Sequence, residues 1–225
     1  SWKTLLVSGM GGGAQGIFVL DVTNPTTFGT DNVMFEFTDA NDALMGNVLT
    51  QPTLVKLKVP GATVGSPFSY KWFIAVGSGY NNYKADGAYS ATGAQAMFFL
   101  SVDKQQGDAW QEGTNYFKVQ LPVASTSTVN GLVNPGFYLG PNGEATVLYA
   151  GDLQGNMWKF DLSAGISSTN IANSVRVSSG AKIPLFVATD TSGNRQPITT
   201  SPQVVDAISS GYMVVFGTGK FVEPS

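Results

Sequence analysis

One pattern recurs along this chain: an apolar strand ending in glycine, a turn, a second apolar strand, then aspartate. Its first copy runs Thr4-Leu5-Leu6-Val7-Ser8-Gly9, a glycine-rich loop, and Ile17-Phe18-Val19-Leu20-Asp21. The second is Trp72-Phe73-Ile74-Ala75-Val76-Gly77, a longer loop, and Met97-Phe98-Phe99-Leu100-Ser101-Val102-Asp103. The third is the tightest, Thr146-Val147-Leu148-Tyr149-Ala150-Gly151 and Met157-Trp158-Lys159-Phe160-Asp161, and a truncated fourth is Met213-Val214-Val215-Phe216-Gly217. Such self-similarity constrains the fold strongly, because each unit buries its apolar faces only against its neighbours.

Further short runs complete each unit. Proline-led segments precede copies two, three and four: Gln51-Pro52-Thr53-Leu54-Val55, Asn134-Pro135-Gly136-Phe137-Tyr138 and Ser201-Pro202-Gln203-Val204-Val205. Proline is tolerated at the first residue of a strand, where its missing N–H breaks no interior ladder. After each aspartate a fourth run follows, at 33–37, 116–120 and 183–188. The runs are rich in β-branched and aromatic residues and bounded by Gly, Pro, Asn and Asp. Helical periodicity is nearly absent, with one weak candidate over 161–168 that Gly165 interrupts. Four short antiparallel strands per unit, repeated, predict an all-β propeller in preference to a sandwich or solenoid. Residues 1–225 are then one propeller domain covering three to four blades, a partial ring. Both ends fall within strand-like sequence, so the rest of the ring is expected from further sequence or from another polypeptide.

Composition narrows the chemistry. The 225 residues contain no histidine and no cysteine, which removes imidazole catalysis, thiolate catalysis, disulfides and Cys- or His-based zinc sites. Charged residues make up 12% and the net charge is −3, giving no pull toward nucleic acid or anionic lipid. No stretch approaches the roughly 18 apolar residues of a membrane helix. The polarity comes instead from hydroxyl, amide and 27 glycines, as in many exported bacterial proteins.

Four local motifs invite functional readings. Gly9-Met10-Gly11-Gly12-Gly13-Ala14 fits a dinucleotide fingerprint, but a strand follows where a helix N-terminus is required. Gly217-Thr218-Gly219-Lys220-Phe221 lacks the spacing and the hydroxyl of a phosphate loop. Asp21, Asp103 and Asp161 each end a strand before a turn, where an aspartate accepts backbone N–H groups. Copies in different blades do not converge as an acid–base pair, so no catalytic residue is assigned. The repeat aromatics Trp72, Phe98, Phe99, Trp158, Phe160 and Phe216 are expected to pack between blades. Tyr80-Asn81-Asn82-Tyr83, two tyrosines and two amides on a long connection, has the character of a recognition loop and is the candidate ligand-binding segment.

Tyr149-Ala150-Gly151-Asp152-Leu153-Gln154-Gly155-Asn156-Met157-Trp158-Lys159-Phe160-Asp161-Leu162-Ser163 closely resembles the signature of the PilC/PilY family of type IV pilus tip proteins. Its structural core would be Gly151, Asp152, Gly155, Asn156, Trp158 and Asp161. Trp2 to Val7, Val19 to Pro25, Gly77 to Asn82, Gln196 to Pro202 and Phe216 to Phe221 are similar to further family landmarks in the family's order. The resemblance implies a C-terminal propeller of a pilus biogenesis factor and tip adhesin, exported through periplasm and outer membrane to the bacterial surface. It also implies roles in pilus assembly, control of retraction, twitching motility and attachment. Minor pilins and a host-cell or surface receptor are the partners so implied. Several family members carry an aspartate-rich calcium loop before the position of Tyr149. Its ligand positions fall here on Tyr138, Gly140, Asn142 and Thr146, with only the Asn142-Gly143 pair retained and Glu144 as the nearby carboxylate. Calcium takes six to eight oxygens, usually with several carboxylates, so no calcium and no other cofactor is expected. A looser likeness to quinoprotein propellers keeps a dehydrogenase as an alternative. A lectin-like propeller using the Tyr80 to Tyr83 loop is another.

Overall fold

Each repeat folds as an antiparallel meander in this computed structural model, which describes residues 2–61, 67–80, 94–123, 130–133, 135–208 and 210–220. The first blade has three described strands, β1 (Leu5–Gly9), β2 (Gly16–Asp21) and β3 (Val33–Thr38). The second has four: β4 (Thr53–Val59), β5 (Ser69–Gly77), β6 (Gln95–Ser101) and β7 (Tyr116–Leu121). The third contains β8 (Gly136–Leu139), β9 (Ala145–Gly151) and β10 (Asn156–Asp161). A short helix, α1 (Ser168–Ala172), and a small hairpin of β11 (Val177–Ser178) and β12 (Ala181–Lys182) follow. The outer strand β13 (Phe186–Val187) then completes the third sheet in the order β13-β10-β9-β8. The fourth blade is the pair β14 (Gln203–Asp206) and β15 (Tyr212–Val215). All strand pairs are antiparallel, and the blades form a partial ring that does not close. No described helix is long and apolar enough to cross a membrane.

Side-chain alternation along a strand explains why the middle strands read as unbroken apolar runs. Ile74, Val76, Phe98 and Leu100 face the first blade, against Ile17, Val19, Phe35 and Phe37. Their neighbours Phe73, Ala75, Met97 and Phe99 face the third blade, against Leu148, Ala150, Trp158 and Phe160. A smaller seam joins Val147, Tyr149 and Met157 to Ile198 and to the partly buried Val204, Val214 and Phe216 of the fourth blade. Fully burying a Phe or Leu is worth about 1.5–3 kcal/mol. The seams between blades therefore carry most of the stabilisation.

Three expectations need correction. Trp72 is 49% exposed, because the first four residues of β5 extend beyond the seam. The helical candidate at 161–168 does not form. Gly165 N–H closes a turn onto Leu162 C=O, and Ser167 Oγ then caps a helix that starts only at Ser168. The run at 183–188 contributes just Phe186–Val187 as strand. Pro184 has no N–H to give, so the contact with β10 begins at Leu185, whose N–H donates to Met157 C=O. Asn134 of the third proline-led segment and Phe221 of the closing segment lie outside the described residues.

A repeated close approach sets the spacing of the blades. The segment entering each next blade crosses the glycine that ends the second-innermost strand of the previous one. A Cβ on Gly9 would lie 2.2 Å from Val48 O, one on Gly77 2.3 Å from Leu132 O, and one on Gly151 2.3 Å from Ile198 Cγ2. Val48, Leu132 and Ile198 are all buried. Gly77→Ala should therefore destabilise the fold by about 1–3 kcal/mol, as other overpacked sites do. Gly12→Ala, with nothing within 4 Å of its Cβ, should be neutral. Urea midpoints of the two variants test this, and equal midpoints would remove the role assigned to the approach.

Candidate functional site

Tyr80, the first residue of the candidate recognition loop, is only 8% exposed. Its N–H donates to Asn47 C=O at 2.9 Å, and its C=O accepts from Asn47 N–H at 2.6 Å. Asn47 belongs to the segment linking the first two blades, and its side-chain amide donates to Gly11 and Ala14 carbonyls. Burial raises the Tyr80 phenol above its ordinary pKa. Tyr80 is thus an anchor at the base of the loop. Asn81, Asn82 and Tyr83 lie outside the described residues.

The signature residues form a buried polar knot. Asp152 is fully buried and its carboxylate accepts five hydrogen bonds. Oδ1 accepts from the N–H groups of Gln154 and Asn156, each at 2.9 Å. Oδ2 accepts from Gln95 Nε2, Asn156 Nδ2 and Trp158 Nε1, each at 2.8 Å. Gln95 comes from the second blade, and Ile198, leading into the fourth, donates its N–H to Asp152 C=O at 3.0 Å. Arg195 Nη1 donates to Asn156 Oδ1 at 2.8 Å and Gln154 C=O at 3.0 Å, which fixes the orientation of the Asn156 amide. These five donors fill the lone-pair directions of the Asp152 carboxylate.

The same turn occurs again, and the sequence carries its signal. Asp152-Leu153-Gln154-Gly155-Asn156 is matched by Asp190-Thr191-Ser192-Gly193-Asn194. Asp190 accepts from the Ser192 and Asn194 N–H groups and from Asn194 Nδ2, and Gly193 has φ 84° where Gly155 has 79°. The Asn194 side chain and backbone hold the Asp190 carboxyl below its usual range. One copy is buried and joined to three blades; the other is exposed.

The strand-end aspartates do not all share one role. Asp21 Oδ1 accepts from Thr23 N–H, and Asp161 Oδ1 from Ser163 N–H and Oγ. The Thr23 hydroxyl, then Lys3, lower the Asp21 carboxyl to about 2, and the Ser163 hydroxyl first of all lowers that of Asp161. In the second blade the register places Ser101 opposite Phe73, where Asp21 faces Leu5 and Asp161 faces Val147. Ser101 Oγ accepts from Asp103 N–H at 3.3 Å. Asp103, two residues later, instead pairs with Lys71 at 3.1 Å. The serine in the repeat position replaces the aspartate as turn acceptor, and the sequence reading assigned that role to Asp103 in error.

Another carboxylate, missed in the sequence, is the buried Asp42. It accepts from Lys118 Nζ at 2.5 Å, Tyr116 OH at 3.2 Å and Leu44 N–H at 3.1 Å, joining the first blade to the second. Burial, and then the Asp42 charge, push the Tyr116 phenol upward. The proline-led starts of β4, β8 and β14 converge on a cleft of about 430 Å³ lined by Pro52, Pro135 and Pro202. There the Cβ of any residue replacing Gly136 would strike Pro202 O.

The polar groups of the 140–146 loop are engaged with one another and with the second blade. Lys56 Nζ, from the second blade, donates to Asn142 C=O. Asn142 N–H donates to Glu144 Oε2 at 2.9 Å, and Asn142 Nδ2 to Tyr70 OH at 3.0 Å. Glu144 C=O accepts from Gly140 N–H, and Tyr138 C=O from Thr146 Oγ1. An ammonium occupies the carbonyl side of the loop, and its one carboxylate is committed to the loop backbone. Among the described residues no group of three or more acidic side chains is placed to hold a metal ion.

Asp152→Ala should leave five donors without an acceptor, several of them buried, and cost on the order of 3 kcal/mol or more. Trp158→Phe keeps the ring and deletes one donor, and should cost about 1 kcal/mol. Chemical denaturation of both variants checks the ranking. A milder effect for Asp152→Ala than for Trp158→Phe would show that the knot is not the organising feature.

Comparison with known proteins agrees with this architecture. The family model for the PilY1 beta-propeller domain matches residues 1–225. A Xylella fastidiosa protein named type IV pilus biogenesis factor PilY1 homolog is 33% identical over 98% of this chain, which spans 14% of that protein. The Pseudomonas aeruginosa type IV pilus biogenesis factor PilY1 is 32% identical over 99% of this chain, which spans 18% of it. The crystal structure of the Pseudomonas aeruginosa PilY1 C-terminal domain superposes with a TM-score of 0.67 at 30% identity, over 97% of this chain and 41% of that one. The interlocked blades, the buried signature knot and these relationships together place the chain in the PilY1 β-propeller family.

Proposed function

We propose that this chain is the propeller module of a type IV pilus biogenesis factor, and that it works by binding and not by catalysis. The observation that carries the reading is the agreement between its blades and those of proteins named as pilus biogenesis factors, over nearly the whole chain. The site chemistry supports it. Of the three buried carboxylates among the described residues, Asp152 and Asp42 are spent on hydrogen bonds or an ion pair between blades and Glu144 on the Asn142 N–H of its own loop. In this reading the module stands at the pilus tip on the cell surface, contacts minor pilins, and supports assembly, retraction control, twitching and attachment to a receptor. Deleting the segment from its parent gene should leave few surface pili by electron microscopy. Normal pili with normal attachment would overturn the assignment, and normal pili with lost attachment would restrict the module to adhesion.

The module takes no calcium at its 140–146 loop, because the Lys56 ammonium already sits against the Asn142 carbonyl. Calorimetric titration with calcium should show no stoichiometric binding that Glu144→Gln abolishes. Such binding, lost in that variant, would refute the proposal.

A further inference from the structure

A lysine amine, a buried carboxylate and a second carboxylate meet where the first blade joins the second. Lys118 and Tyr116 are two residues apart on β7, so both reach the same face of that blade. Asp42 lies in the link that follows β3, and its side chain is 4% exposed. Lys118 Nζ stands 2.5 Å from Asp42 Oδ2, and Glu112 Oε2 stands 3.4 Å from the same nitrogen. Glu112 arrives there because the turn before β7 folds back, with Gly113 N–H donating to Tyr116 C=O. Aromatic rings wall the cluster: the centroids of Phe37 and Trp110 are 5.1 and 6.2 Å from that of Tyr116.

The two oxygens of Asp42 have different partners. Oδ1 accepts from Leu44 N–H at 3.1 Å. Oδ2 accepts from Lys118 Nζ and, at 3.2 Å, from the Tyr116 hydroxyl. Burial by itself lowers the Lys118 ammonium, but Asp42 and then Glu112 more than reverse this, so the pair rests as ions. Passing one proton from Nζ to Oδ2 along their hydrogen bond gives a neutral amine and a neutral acid. That exchange changes no net charge, and burial favours its products. Holding the two groups in contact supplies the proximity that an intramolecular condensation needs.

We propose that Lys118 and Asp42 condense into an isopeptide amide that ties the first blade covalently to the second. The Nζ lone pair attacks Asp42 Cγ and forms the C–N bond. Leu44 N–H meets the negative charge that develops on Oδ1. The Glu112 carboxylate takes a second proton from Nζ and passes it to Oδ2, whose bond to Cγ breaks. Oδ2 leaves as water, carrying two protons that began on Nζ, and the third stays on the amide nitrogen. One positive and one negative charge vanish together, and no oxidant or cofactor enters. The chain has no cysteine and hence no disulfide to tie its blades. The inference rests on this cluster alone and is independent of the pilus reading.

Intact-mass spectrometry of the purified, denatured 225-residue chain tests it. The measured mass should be lower than the sequence mass by one water molecule. Trypsin should release peptide 4–56 joined to peptide 105–159 through Asp42 and Lys118, because an acylated lysine is not cleaved. Lys118→Arg keeps a cation opposite Asp42 without the amine, and should have its full sequence mass. Glu112→Gln removes the proton carrier and should leave most of the chain unlinked. Circular dichroism verifies that both variants are folded. The proposal falls if the parent chain has its full sequence mass, or if Lys118→Arg still lacks one water. Equal linkage in Glu112→Gln would overturn the role given to Glu112.

Discussion

The partial ring depends on how near the incoming chain can come to the strand-end glycines Gly9, Gly77 and Gly151. Backbone or side-chain atoms of Val48, Leu132 and Ile198 stand within 2.2–2.3 Å of where a Cβ would be. Only glycine permits that approach, and the approach lets neighbouring sheets meet on their apolar faces. From it follow the seams in which Phe98 meets Phe37 with ring centroids 5.3 Å apart, and in which Trp158 and Phe160 pack with Phe99. A blade displaced by even one methyl group would open gaps along the seam, and interiors packed at native density do not absorb such gaps without cost.

Burial of Asp152 extends the same logic to polar groups. A carboxylate removed from water is costly unless its lone pairs are filled. Here donors from the second blade, the third blade's own turn and the Trp158 indole fill them, while Ile198 reaches the main chain from the linker to the fourth. The knot holds only when all three blades are in register, so it specifies their arrangement as well as stabilising it. Asp190, with the same five-residue turn but no neighbouring blade over it, shows that the turn itself is local.

The seams bury the apolar faces of the blades, and the Asp152 and Asp42 carboxylates are taken up by donors from neighbouring blades. The seam between the second and third blades is filled by buried apolar side chains such as Phe73, Phe99, Trp158 and Phe160. The axial cleft at Pro52, Pro135 and Pro202 is lined by the starts of three inner strands.

Much of this was readable in the chain before any coordinates. The hairpins β1-β2, β5-β6 and β9-β10 follow from contiguous apolar runs, and β3, β4 and β7 from β-branched and aromatic patches between turn residues. These are local signals, because strand propensity and turn chemistry act over a few residues. The exposure of Trp72 was not readable, since sequence does not say how far β5 outruns the neighbouring blade. Ser101 taking the turn position two residues before Asp103 depended on the register across β5-β6, which pairing decides. The Gln95 donor on Asp152, the Lys118 ammonium on Asp42 and the Lys56 ammonium at Asn142 each join segments far apart in the chain. The sequence by itself determined the repeat, the strands and the absence of imidazole and thiol chemistry. Only the tertiary structure decided which polar groups meet between blades and how far each strand outruns its neighbour, because both depend on contacts that no single repeat contains.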